Sequence, residues 1–298
     1  MNNRLRLTFL IALLCTGITF TVSLVIKQIG TPLPPSLAPL LGLVGKPVQS
    51  VDHLVTRIIN VSDIDERELG EVLHARYAAK YTNAKYASDI QYLNELIQRL
   101  SARAQKPFKY RVYLLPYDQP NAMALPGGVI LITRGMLQVI SSEAELVSVL
   151  AHEQGHIELG HCLDAVKFQL LAEKVDNKTL GAIADYAVYI LVSHYFSKTQ
   201  EDDADEYAYT ALLYSPYDPC GVGQAFNSLL QWQQQYTKQP AQRHDINPLR
   251  DLLISHPPLE LRIAKYQQRA EAWWRLHPNE ERHLGVENLR DRIIVQSP

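Results

Sequence analysis

The feature that most constrains the fold is the pentapeptide His152-Glu153-Gln154-Gly155-His156, which lies downstream of a helix-start signal. Ser142 and Glu145 form an S-x-x-E capping box, and the following residues predict one long helix from Ser142 to about Val175. Residues i and i+4 share one face of a helix, so both imidazoles can reach a single metal ion. A second element must therefore face this helix and complete the site.

A second predicted helix, from Thr179 to about Leu213, supplies that element. A turn at Asp176-Asn177 separates two helical arms of nearly equal length, about 20 and about 22 residues. Because the arms of an antiparallel hairpin run side by side, this arrangement brings Glu201 to the level of His156. Glu201 is therefore the predicted third ligand.

These positions predict a catalytic zinc site. Such a site uses three protein ligands and leaves a fourth position open. Asp205 follows Glu201 by one helical turn and can accept a hydrogen bond from the outer N–H of a metal-binding histidine. Glu153 is placed to act as the general base. The predicted ligands of one Zn²⁺ per chain are His152, His156 and Glu201.

Two alternatives remain open for the histidines of this segment. The pentapeptide could belong to a helix that carries two surface histidines and no metal. His161 follows His156 by five residues, a spacing that turns it away from both histidines of the pentapeptide on a continuous helix. Its expected role is helix packing or a hydrogen bond rather than metal binding.

The rest of the central region predicts a mainly helical α+β domain over residues 61–270. Apolar residues at helical spacing cover 61–100, and further helices are predicted at 224–236 and 258–275. Between them lie short strands that predict a small antiparallel sheet, with the middle strand at an edge. The predicted strands are 108–114, 121–125 and 129–133.

The first 27 residues predict a transmembrane anchor. Leu7 to Ile26 contains 20 consecutive residues without a formal charge, and such a helix would be about 30 Å long, the thickness of a bilayer core. Arg4 and Arg6 precede this stretch and only Lys27 follows closely, so the positive-inside rule places the rest of the chain across the membrane. The alternative is a signal peptide that is removed by cleavage.

The remaining organisation follows from composition. Residues 28–60 begin with a Pro- and Gly-rich stretch and form a predicted linker, and residues 271–298 form a C-terminal tail. The formal net charge is −2, which gives no electrostatic support for nucleic-acid binding. Three cysteines are too few for a disulfide scaffold or a four-thiolate zinc ribbon.

Four motifs, in order, resemble those of the HtpX, Oma and CAAX-prenyl-endopeptidase family of gluzincin zinc metallopeptidases. They are NAMALPGGVILITRG at 121–135, HEQGH at 152–156 with His161 beyond it, QEDDAD at 200–205 and SHPPLELR at 255–262. The resemblance covers roughly residues 61–270. It is greatest to bacterial members of the BepA and LoiP kind, which act in the periplasm.

The resemblance implies a zincin-type endopeptidase that cleaves unfolded or misassembled envelope proteins for quality control. Together with the predicted anchor, it implies a single-pass inner-membrane protein whose catalytic domain lies in the periplasm, or a periplasmic protein if the N-terminal segment is cleaved. Its partners would be polypeptide substrates and either further copies of this chain or envelope assembly factors. The alternative is a catalytically silent or gated member that binds envelope proteins as a chaperone does.

The resemblance also gives roles to residues around the predicted zinc site. His256 and Arg262 would hold the substrate or the oxyanion, and so would Asn121. We further expect an extended substrate to add as a strand at the predicted sheet edge. The residues expected to bind substrate are Asn121, Ala122, Met123 and Ala124.

Two further features leave alternatives open. Cys162 and Cys220 could form a disulfide in an oxidising periplasm, or they could be two buried thiols. His244 lies in a predicted loop and could bind the open zinc position as a regulatory ligand that silences the enzyme. The alternative for His244 is an exposed loop residue without a special role.

Overall fold

The computed structural model describes residues 63–81, 84–172, 184, 187–188, 191, 196–237 and 259–295, all within one compact unit, Ile59–Pro298. The predicted anchor and linker lie outside the described residues. Within the described part of the chain, no helix is long and apolar enough to cross a membrane.

The described elements confirm a mainly helical α+β fold. Two short 3-10 helices, Ala84–Tyr86 and Pro126–Gly128, lie between the longer elements. The α-helices and strands in chain order are α1 (Asp63–Tyr81), α2 (Ala87–Ser101), β1 (Arg111–Leu115), β2 (Ala122–Leu125), β3 (Val129–Thr133), α3 (Arg134–Val139), α4 (Glu143–Glu158), α5 (His161–Ala172), α6 (Lys198–Leu213), α7 (Cys220–Thr237), α8 (Leu259–Leu276) and α9 (Val286–Asp291).

The three strands form a mixed sheet, so the prediction of a purely antiparallel sheet was wrong. The strand order is β1-β3-β2. β2 pairs antiparallel with β3 across the Pro126–Gly128 turn, whereas β1 pairs parallel with β3 from Arg111↔Val129 to Leu115↔Thr133. An alternating pattern identifies a strand but carries no information about its direction, which is why the sequence did not distinguish the two arrangements. β2 is at an edge of this sheet, as predicted.

The helix that carries the pentapeptide is shorter than predicted. Ser142 caps α4 by accepting a hydrogen bond from the Glu145 N–H, as the capping box indicated. α4 ends at Glu158 because Gly160 adopts a left-handed φ of 81°, and a new helix, α5, begins at His161. Glycine in this conformation is a common way for a helix to end. One long helix to about Val175 was therefore a wrong prediction.

The helix that carries Glu201 also begins later than predicted. Ser197 caps α6 through a complete capping box with Gln200, and residues 196–197 are not helical. A continuous helix from Thr179 was therefore wrong. The capping box places Glu201 in the first turn of α6.

Residues beyond 270 pack against the helices that hold the site. α8 continues past residue 270 to Leu276. The Val295 N–H donates to the buried Glu143 carboxylate at 2.9 Å, and the Val295 carbonyl accepts from Arg99 at 2.7 Å. Tyr92 and Tyr217 donate to the same carboxylate at 2.5 and 2.6 Å. The first turn of α4 is therefore fixed by hydrogen bonds from three distant parts of the chain.

Gly127 allows α1 to lie directly on the turn between β2 and β3. Its φ is 74°, and a Cβ at this position would be 2.4 Å from the Gly70 Cα and 2.7 Å from the Glu66 carbonyl oxygen. Real Cβ atoms do not approach backbone this closely, so a larger residue here would have to separate α1 from the sheet.

Gly127→Ala is expected to lower the free energy of unfolding by about 2–5 kcal/mol, because left-handed strain and overpacking add. Gly160→Ala is the matched control. Its φ of 81° imposes similar strain, but its Cβ would meet no described heavy atom within 4 Å, so we expect a loss of only about 1–2 kcal/mol. Urea unfolding of both variants measures the difference, and equal losses would contradict the close contact.

Candidate metal centre

Three buried side chains from two helices converge at one point. His152 and His156 lie one turn apart on α4, and Glu201 faces them from the first turn of α6. The two histidine Nε2 atoms are 3.1 Å apart. The Glu201 carboxylate oxygens lie 3.6 Å from His152 Nε2 and 3.5 Å from His156 Nε2. The structure thus brings all three predicted ligands together.

This spacing fits a tetrahedral metal ion. With metal–ligand bonds of about 2.0–2.1 Å, ligand atoms at tetrahedral corners are about 3.3 Å apart. The Nε2–Nε2 separation of 3.1 Å is close to that value, and each Glu201 oxygen lies 3.5 or 3.6 Å from one of the two imidazoles. Two imidazoles and a carboxylate are also a donor set that zinc prefers. Small side-chain adjustments would therefore suffice for these residues to hold a metal ion.

Asp205, the residue predicted to orient a histidine, lies beside His152. Its Oδ1 lies 2.9 Å from His152 Nδ1, which leaves His152 Nε2 directed at the metal position. Arg262 on α8 in turn donates to both oxygens of Asp205, from Nε at 2.8 Å and from Nη2 at 2.5 Å. A bidentate guanidinium contact of this kind fixes the plane of the carboxylate.

The charges around Asp205 keep it ionised. Burial alone would raise its pKa, but the hydrogen bonds and charges of His152 and Arg262 lower the pKa to about 2. Burial likewise favours the neutral form of His152, yet Asp205 and Glu201 raise the pKa of His152 overall. Metal binding at Nε2 must therefore release a proton from any protonated His152.

His156 is oriented by two residues to which the sequence gave no such role. His161 Nδ1 lies 3.0 Å from His156 Nδ1, because the break at Gly160 turns the chain and brings His161 back toward the site. The Phe196 ring stacks on the His156 ring with centroids 4.0 Å apart. The expectation that His161 makes a hydrogen bond holds, but the expectation that it points away from His156 was wrong.

A narrow cleft lies beside the metal position. It has a volume of about 60 Å³ and is lined by His152, Glu153, Asn121, Ala122 and Arg262, among others. Glu153 is buried next to the ligands. Asn121 is held at the start of β2 by its backbone, which donates to Thr133 Oγ1 at 2.8 Å. The predicted base and the predicted substrate-binding edge therefore share one cleft.

The remaining predicted site residues are two residues of β2, two cysteines and two histidines. Met123 and Ala124 are buried in β2 but do not line the cleft. Cys162 and Cys220 are both free thiols, so the structure does not contain the disulfide considered above. Burial raises the pKa of the Cys162 thiol, which keeps it neutral. His244 and His256 lie outside the described residues.

Comparison with known proteins finds similarity to a peptidase family and to individual proteases. The profile of Peptidase family M48 matches residues 87–270, more than half of the chain. The chain is 31% identical to a Protease HtpX homolog of Aquifex aeolicus over 121 residues, which is 39% of this chain and 38% of that protein. It is 27% identical to the Metalloprotease LoiP of Escherichia coli over 138 residues, 42% of this chain and 52% of that protein.

A longer alignment joins the chain to the Beta-barrel assembly-enhancing protease of Escherichia coli. The two are 26% identical over 228 residues, 70% of this chain and 42% of that protein. The chain thus spans about two fifths to one half of the length of these relatives.

Proposed function

Because the chain belongs to peptidase family M48, we propose that it is a zinc-dependent endopeptidase that cleaves unfolded or misassembled envelope proteins. The observation that carries this proposal is the convergence of His152, His156 and Glu201 within reach of a single metal ion, with Glu153 in the adjoining cleft. A purely structural ion pair between these residues would not need a further buried acid, Glu153, in a cleft beside it.

The proposed chemistry divides between the metal and the chain. A zinc ion held by the three ligands would supply Lewis-acid activation of a water molecule and of the scissile carbonyl. Glu153 accepts the proton of the attacking water and delivers it to the leaving amine. Asp205 keeps His152 in the orientation that this arrangement requires.

Arg262 acts through Asp205 in this proposal. Its Nε and Nη2 groups both bind the Asp205 carboxylate, and the guanidinium lies 4.0 Å from the centroid of the Phe226 ring. A guanidinium fixed in this way positions the carboxylate that orients His152. Stabilisation of the oxyanion is then assigned to His256, which remains a prediction from the sequence.

The edge of β2 is the proposed substrate-binding strand. One side of β2 pairs with β3, and Asn121 and Ala122 at its start line the cleft beside Glu153. A peptide that adds antiparallel or parallel to this edge would place its backbone carbonyls next to the metal position. Binding through backbone groups reads little side-chain sequence, which suits a protease that acts on unfolded segments.

The narrowness of the cleft supports a gated version of the same function. A volume of about 60 Å³ is far below the roughly 300–1,000 Å³ of sites that enclose ligands. Residues of α7 and α8, including Phe226, Leu229 and Leu259, form the wall away from β2. We therefore propose that substrate binding widens the cleft. A gated or silent binder of envelope proteins is the second candidate function.

The proposed location follows from the predicted anchor. Residues 7–26 would hold the chain in the inner membrane, with the catalytic domain in the periplasm, or cleavage after this segment would release it there. The name of one relative, the Beta-barrel assembly-enhancing protease, supports the further proposal that envelope assembly factors are among the partners. Self-association is a second proposal of the same kind.

The direct test uses the full-length chain in detergent and a permanently unfolded protein, such as reduced and carboxymethylated casein. We expect cleavage with one zinc bound per chain, loss of cleavage after chelation, and recovery when zinc is added back. A folded, disulfide-bonded protein should stay intact as the control substrate. One zinc per chain without cleavage would favour the gated or binding function, and absence of both would refute the proposal.

A further inference from the structure

A second, larger cavity lies behind the helices that carry the metal ligands. It has a volume of about 780 Å³, within the range of small-molecule sites. The metal-side cleft is lined by Val149, His152 and Ala208, whereas this rear cavity is lined by Val147, Gln154 and Ala211. The α4–α6 pair therefore separates two cavities on its opposite faces.

The rear cavity contains a buried amide without a partner. Gln154 is almost fully buried, and its Nε2 atom makes no hydrogen bond within the described part of the chain. An unsatisfied buried donor costs free energy and is uncommon in native proteins, and in a cavity of this size its partner can be a ligand or ordered water. Gln154 lies between Glu153 and Gly155 in sequence but points to the opposite side from the metal ligands.

The charge of the lining favours an anion. The residues that line the cavity include Arg99 and Arg103, and none of them is Asp or Glu. The Arg103 guanidinium lies 5.0 Å from the centroid of the Tyr214 ring, at the exposed side of the cavity. The rest of the surface is largely apolar, with contributions from Leu96, Leu100 and Val147. Such a site matches a molecule that carries one carboxylate on an apolar body.

We propose that the rear cavity binds an apolar carboxylate, with Gln154 and the two arginines as the polar contacts. Two sources share this chemistry: a fatty acid and the free C-terminus of a short apolar peptide. Tyr207 on the cavity wall packs beside Gly155, since a Cβ added at Gly155 would be 3.0 Å from the Tyr207 Cβ. Gly155 precedes His156, so the cavity lies directly behind the predicted metal site.

The test is calorimetric titration of the full-length chain with octanoate and with acetyl-Leu-Leu-Leu bearing a free carboxylate. Octanamide and the amidated peptide are the uncharged counterparts. We expect at least one acid to bind and its amide to bind at least about tenfold more weakly, since charge-assisted hydrogen bonds are the stronger ones. Binding of octanoate alone identifies the fatty-acid source, binding of the peptide alone identifies a C-terminus, and binding of both supports the shared chemistry.

Variants show whether binding occurs in this cavity. Gln154→Leu removes the amide at similar volume, and Arg103→Gln removes an exposed charge without disturbing the core. Each should weaken binding by about tenfold or more, whereas Arg275→Gln, at an exposed arginine of α8, should leave it unchanged. Binding of neither acid would overturn the proposal. So would equal affinity in the parent and in Arg103→Gln, a result that stands even if Gln154→Leu does not fold.

Discussion

Glu153→Gln is expected to abolish measurable cleavage of an unfolded protein while the chain still binds one zinc ion. The glutamine has nearly the same shape and can occupy the same buried position in the cleft, but it cannot accept and return a proton. General-base catalysis contributes about 10²- to 10⁴-fold to such rates, so the cleavage rate of the variant should be lower than that of the parent by about this factor. Metal binding should persist because the ligand atoms belong to His152, His156 and Glu201.

The measurement pairs a cleavage assay with the zinc content of the same purified protein. Asp203→Asn is the control, because Asp203 is an exposed acid on α6, two residues from the ligand Glu201. We expect Asp203→Asn to retain parental activity. Turnover of Glu153→Gln within tenfold of the parent would remove Glu153 from the proposed role. Loss of its zinc would instead show that Glu153 supports the metal site.

The convergence of His152, His156 and Glu201 could be predicted from local sequence, although the predicted helix boundaries were wrong. His152 and His156 need only helical spacing, and α4 provides it. A continuous two-helix hairpin predicts that Glu201 faces the histidines, whereas α4 ends at Glu158 and α6 begins at Lys198. Glu201 nevertheless faces the histidines, because the Ser197 cap places it in the first turn of α6.

Both helix boundaries had signals in the sequence. Gly160 follows the last turn of α4, where a glycine commonly ends a helix. Ser197 and Gln200 form an S-x-x-Q pattern, which is a helix-start signal. These two signals predict two shorter helices in place of the long hairpin. Because His161 then starts a new helix, the five-residue spacing from His156 does not set its direction.

Other parts of the site depend on contacts between distant residues. Arg262 and Asp205 are 57 positions apart, and the pattern of either segment alone gives no sign that they pair. The stacking of Phe196 on His156 and the parallel pairing of β1 with β3 are of the same kind. These features follow from how helices and strands pack, which local periodicity does not encode.

Asp205→Asn is expected to weaken both the metal site and the fold. Asparagine cannot balance the positive charge of Arg262, and it is a poorer acceptor for the His152 Nδ1–H. Loss of a partner that orients a metal-binding histidine typically lowers metal affinity by about 10- to 100-fold. Breaking a buried ion pair leaves an uncompensated charge, so the free energy of unfolding of the zinc-free protein should fall by about 3 kcal/mol.

The chain provides a matched control for this change at the next residue. Glu206 on α6 also makes a bidentate contact with an arginine of α8, Arg269, but both side chains of that pair are partly exposed. Water screens such a pair, so Glu206→Gln should cost under about 1 kcal/mol and leave zinc affinity unchanged. Competition with a zinc chelator and urea unfolding of the zinc-free proteins measure the two effects. If Asp205→Asn changed zinc affinity no more than Glu206→Gln does, the Asp205–Arg262 pair would stabilise the helix contact without orienting His152.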